Sequence, residues 1–66
     1  MVEVVKFKAF CIEQYKYAHH MTGRETLRRF QQYGVMDYLD EFYDVLHSFG
    51  NEYIVQDIDL FIEARK

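Results

Sequence analysis

Apolar positions recur along this chain at helical spacing almost from its start. Val4, Phe7, Cys11, Tyr15 and Ala18 step by three or four residues, which keeps them on one side of a helix at 100° per residue. The spacing predicts a first helix over residues 2–20. Val5 and Ile12 widen the stripe. Phe10 and Tyr17, two turns apart, lie roughly 100° around from the Phe7–Cys11 line. The helix is therefore apolar over more than half its circumference, and packing on one side alone does not require that. Two arrangements satisfy it: a central helix touched by all the others, or a helix with a second face for a partner chain.

Thr22-Gly23-Arg24-Glu25 follows His19-His20-Met21. Thr with Glu three residues later is a capping box, in which each side chain meets the other residue's backbone N–H. A second helix is expected from Gly23, with Leu27, Phe30 and Tyr33 on its apolar side and Arg24, Arg28 and Gln32 on its polar side. Gly34 is placed to close it in a left-handed conformation. Asp37 reads as the N-cap of a third helix over about 37–49. Tyr38, Leu39, Phe42, Tyr43, Val45, Leu46 and Phe49 make its apolar side, and Asp40, Glu41, Asp44 and Ser48 its polar side, with Gly50 as the stop. Tyr53-Ile54-Val55 is a short β-prone run, read with Asn51 and Glu52 as an extended link. A last helix over about 56–65 would bury Ile58, Phe61 and Ile62. Asp57 and Asp59 would sit in its first turn and Arg65 and Lys66 at its end, as the helix dipole favours. The expected fold is all-α, a compact small bundle of four short helices in a single domain over residues 1–66.

Composition narrows the class. Half of the 66 residues are apolar and 29% are charged, which suits a folding chain. One cysteine cannot build a disulfide scaffold. No apolar run approaches the roughly 18 residues of a membrane span. Met1-Val2-Glu3-Val4-Val5-Lys6 has no basic leader before a hydrophobic stretch, so no signal peptide is read there and a bacterial-type cytoplasm is the expected location. A domain this short is marginal on its own core, and association can supply what is missing.

The charge is divided unevenly. Residues 1–33 hold six Lys or Arg against three Asp or Glu, while residues 34–66 hold two against eight. One account is complementarity of the two halves within the fold. Another is an acidic surface of Asp40, Glu41, Asp44, Asp57, Asp59 and Glu63 that docks on a basic partner. A third is nucleic-acid binding by Lys6, Lys8, Arg24, Arg28 and Arg29, since the second helix, Gly34 and the third helix superficially resemble a helix-turn-helix. The acidic exposed side of that third helix would be repelled by phosphate, and a pI near 5.5 also disfavours nucleic acid.

Candidate chemistry is thin. Asp40, Asp44 and His47 share one stripe and, with His19 and His20, could hold a metal weakly. The plainer role for these histidines is as helix C-terminal partners of the dipole. Cys11 lies on the main apolar stripe and reads as a buried inert thiol. Gly23, Gly34 and Gly50 are isolated, so no phosphate loop is present. Four short helices leave little room for a catalytic or small-molecule pocket. Neither catalytic nor cofactor-binding residues are assigned, and no cofactor is expected.

Phe10-Cys11-Ile12-Glu13-x-Tyr15, Thr22-Gly23-Arg24-Glu25, Tyr33-Gly34-Val35, Leu46-His47-Ser48-Phe49-Gly50 and Tyr53-Ile54-Val55-x-Asp57-Ile58-Asp59 occur in this order. Together they resemble a domain-of-unknown-function family of short bacterial helical proteins. The resemblance implies a stand-alone helical unit. It also implies frequent encoding beside other short proteins, including an ADP-ribosyltransferase-like family, in a setting similar to a toxin–antitoxin pair; no functional residue is carried over. The expected function is a non-enzymatic protein-interaction module, self-associating or bound to a protein partner, through Phe10, Tyr17, Asp40, Glu41, Asp44, Asp57 and Asp59. The alternatives are an antitoxin-like partner of such a neighbouring enzyme and a weak metal-binding or DNA-binding helical domain.

Overall fold

The computed structural model describes residues 2–66, which form five helices: α1 (Val2–Ala18), α2 (Gly23–Tyr33), α3 (Val35–Glu41), α4 (Tyr43–Leu46) and α5 (Asn51–Glu63). The all-α bundle expected from the pattern is the fold. None of these helices is long and apolar enough to cross a membrane.

The first helix is the central one. Its Phe7, Cys11 and Tyr15 are buried, and α2, α3 and α5 all pack against it. The core around that stripe consists of Phe30 of α2, Val35 and Leu39 of α3, Leu46 of α4, and Ile54, Ile58 and Ile62 of α5. Ala18, expected to extend the stripe, is exposed. The helix stops there, two residues earlier than its periodicity suggests. His20 takes a left-handed φ of 54°. The Met21 N–H then reaches back to the Lys16 carbonyl and the His20 N–H to that of Tyr17. This is a Schellman closure with histidine where glycine is usual.

Thr22 and Glu25 form the expected capping box. The Thr22 N–H donates to Glu25 Oε1 at 2.9 Å and the Glu25 N–H to Thr22 Oγ1 at 3.1 Å. The buried side of α2 differs from expectation. Leu27 is exposed, and Thr26 is fully buried beside Phe30. The Thr26 hydroxyl donates to the Thr22 carbonyl at 3.0 Å, so its burial leaves no polar atom unsatisfied.

The largest departures follow Gly34. Its φ of 72° closes α2, and its carbonyl accepts from the Tyr38 N–H, so one residue ends one helix and begins the next. Asp37 therefore lies inside the first turn of α3 and does not cap it. Burial of Val35 explains the early start, since the helix brings that side chain into the core beside Leu39. The long third helix breaks at Phe42 (φ −108°, ψ 21°) into α3 and α4. With the break, Tyr38 stacks on Phe61 of α5 while Tyr43 meets Phe7 of α1 edge-on. Residues 51–55 are helical, not an extended link, because Ile54 belongs to the same i, i+4 stripe as Ile58 and Ile62. That earlier start moves Asp57 and Asp59 out of the first turn, and Glu52 takes the dipole position.

Three helix boundaries yield predictions. His20→Gly is expected to stabilise the fold by about 1 kcal/mol, by relieving a left-handed non-glycine residue. Gly34→Ala is expected to cost about 1 kcal/mol for the converse reason. Thr22→Ala is expected to cost about 1 kcal/mol through the lost cap. Urea denaturation of the three variants measures each change.

Candidate interaction surface

The fold engages several of the expected docking residues in contacts of its own. Asp40 Oδ1 accepts from Lys8 Nζ at 2.6 Å, tying α3 to α1. Asp57 Oδ2 accepts from the Tyr38 hydroxyl at 2.5 Å, tying α5 to α3. Asp59 meets His19 Nε2 at 2.9 Å, tying α5 to the end of α1. These contacts use negative charge from the second half of the chain to hold elements of the fold together. Phe10 is half-buried against the core. Tyr17, Glu41 and Asp44 face solvent.

Around His19 lies a polar cluster. The imidazole stacks on the Tyr15 ring at 4.1 Å, and Arg29 Nη1 donates to the Tyr15 hydroxyl at 3.2 Å. Histidine, tyrosine, aspartate and arginine from three helices thus converge, and each has a partner within the cluster. His47 is elsewhere: its ring stacks on Tyr43, and its Nδ1 lies 2.7 Å from the Tyr43 carbonyl oxygen. Among the described residues no three His, Cys, Asp or Glu side chains are grouped to hold a metal, so the Asp40–Asp44–His47 stripe and the His19-His20 pair do not converge.

Part of the exposed apolar surface lies where burial was expected; Val5, Tyr17, Leu27 and Leu60 are exposed as well. Phe42, Val45 and Phe49 are 44%, 57% and 37% exposed, and Tyr53 is 71% exposed. Phe49 and Tyr53 are in ring contact at 6.4 Å, which continues the line from the α3–α4 corner onto α5. At 100° per residue, Val45, Phe49 and Phe42 fall on one half of the apolar arc of residues 38–49 and the buried Leu46 and Leu39 on the other, so the arc alone does not mark which half is buried. Glu41, Asp44 and Glu52 are exposed neighbours of this line in sequence.

Concave surfaces accompany it, although short helices were expected to leave little room. One, of about 500 Å³, opens at the α2–α3 corner against the end of α5 and is lined by Tyr33, Asp37, Tyr38, Glu41, Phe42, Phe61 and Arg65, with the Gly34 backbone. Another, of about 430 Å³, lies between α1 and the start of α5, where Tyr17 and Val55 line it. Neither contains a histidine or a cysteine. The first is walled by rings: Phe42 meets Tyr38 at 5.3 Å, and Tyr38 stacks on Phe61 at 4.1 Å.

Residues 6–65 match the family model described as "Protein of unknown function (DUF3791)". The chain belongs to this family. The match agrees with the resemblance drawn from the motifs and covers all five helices except the first turn of α1. No curated protein and no solved structure matches the chain.

The titratable groups of this DUF3791 domain give a prediction at high pH. Burial pushes the Cys11 thiol up to about 12. Burial, then the hydrogen bond to Asp57, pushes the Tyr38 phenol up to about 12. Burial also raises Tyr15. Each group is held neutral in the fold, so its contribution is intact below its unfolded pKa and disappears as pH rises through the folded one. Stability is therefore expected to fall between about pH 9 and pH 12. Urea midpoints measured across that range check this, and Cys11→Ala should flatten the slope at its lower end. A thiol-reactive chromophore should label Cys11 only on unfolding.

Proposed function

We propose that this DUF3791 chain is a non-enzymatic protein-interaction module. The observation that carries the reading is the line of exposed side chains Phe42, Val45, Phe49 and Tyr53, running from the α3–α4 corner to the start of α5. Isolated exposed apolar residues are ordinary, but a run at three- and four-residue spacing, with aromatic members and charged neighbours in sequence, has the composition of a binding surface. It occupies the part of the fold where α4 is only four residues long and the chain turns twice. The remaining chemistry supports the same reading. Tyr15, His19, Arg29 and Asp59 are engaged with one another, Cys11 is buried with a raised pKa, and the concave surfaces lack a nucleophile paired with a base.

Self-association and a separate protein partner are both forms of this function, and one experiment addresses them. The tagged chain is run through sedimentation at rising concentration, and then used to recover proteins from extracts of its source cells. A discrete dimer or a discrete stoichiometric partner is expected, and Phe42→Ser with Phe49→Ser should abolish it while helicity is retained. A chain that stays monomeric and recovers nothing specific contradicts the reading. So does a double variant that recovers the same partner at the same yield.

A further inference from the structure

The cleft at the α2–α3 corner joins two features. Asp37 and Glu41 are one turn apart on α3, and both line it. Among the described residues neither forms an ion pair, whereas Asp40, between them in sequence, is held by Lys8. The other wall is aromatic, with Phe42, Tyr38 and Phe61 in successive ring contact. The chain itself shows what such a wall holds. The Arg65 guanidinium lies 3.6 Å from the Phe61 ring centroid, and its Nη1 donates to the Phe61 carbonyl at 3.4 Å. Phe61 thus has Tyr38 stacked on it at 4.1 Å and a guanidinium over it, while Phe42 remains 44% exposed beside the two uncommitted carboxylates.

A volume of about 500 Å³, aromatic faces and an excess of one negative charge in the lining define a cationic occupant. Phosphate would be repelled, which sets nucleic acid aside. A planar guanidinium fits better than an ammonium, because it stacks on rings and presents paired N–H donors to carboxylates. We propose that this cleft receives an arginine side chain from a basic segment of a partner protein, with its guanidinium against the Tyr38 and Phe42 rings and its N–H groups bonded to Asp37 and Glu41. The cleft shares Phe42 with the exposed apolar line, so the arginine would anchor a partner whose apolar residues cover Val45 and Phe49. The assignment rests on the reading of the chain as an interaction module, and names the chemistry of what it binds.

The test uses the whole chain and two probes, acetyl-Gly-Arg-Gly-amide and the same peptide with citrulline, which keeps the shape and removes the charge. Backbone amide and aromatic NMR signals are followed during titration. Saturable shifts confined to Asp37–Phe42, Tyr33 and Phe61 are expected with the arginine peptide. Affinity should be lower on the order of tenfold with citrulline, and by a similar factor for Asp37→Asn with Glu41→Gln. Equal binding of the two peptides, shifts elsewhere or no saturation overturns the proposal. Shifts at these residues on concentrating the protein without peptide would assign the cleft to a second copy and also overturn it. The citrulline comparison stands even if the double variant fails to fold. Failure of the unaltered chain to recover a partner, with arginine selectivity intact, faults the interaction reading, and absence of arginine selectivity, with partner recovery intact, faults the cleft.

Discussion

Tyr15 is 1% exposed, and the way its ring is enclosed constrains the rest of the fold. Phe30 of α2 meets it edge-on at 5.1 Å, and His19 stacks on it at 4.1 Å. A buried phenol needs a hydrogen-bond partner, and Arg29 provides one. His19 in turn reaches Asp59 of α5. One side chain thus sets the spacing of α1, α2 and α5. The helix break at Ala18 and the left-handed His20 follow, because the chain must turn directly after His19 to bring α2 across the same ring. With α1 held at the centre, the remaining apolar stripes close around Phe7, Cys11 and Tyr15.

That closure does not extend to the corner between α3 and α5. Leu39 and Leu46 reach the core from either side of the Phe42 break, while Phe42, Val45 and Phe49 keep 37–57% exposure. A domain of 66 residues has too little interior to enclose twelve Phe and Tyr rings on a single central helix. Under the proposed reading, the rings left at the surface serve association. The cleft at the neighbouring corner adds two carboxylates that form no ion pair among the described residues. Apolar contact and charge selection would then lie side by side, the usual division between what gives affinity and what gives specificity.

Much of this was legible in the chain itself. The capping box, the left-handed Gly34, the Phe7–Cys11–Tyr15 stripe and the all-α class follow from local rules that tertiary contacts do not override. The motif series also pointed to a family of unknown function, and residues 6–65 match one. The failures share one cause. Tyr53, Ile54 and Val55 have β-prone side chains, yet Ile54 is drawn into register with Ile58 by a core that lies elsewhere in the sequence. Val35 pulls the start of α3 past the better cap at Asp37 in the same way. The acidic half was legible as a charge imbalance, but which carboxylates are engaged depends on Lys8, Tyr38 and His19, which lie far from them in the sequence.

The central claim is that this corner, not the basic outer face of α2, meets another protein. Photo-crosslinking in living source cells tests it most directly, with benzoyl-phenylalanine placed at Phe49 or, as the control, at Arg24. The account predicts a discrete adduct from position 49 and none from position 24. Adducts from position 24 alone, or none from either, would contradict it.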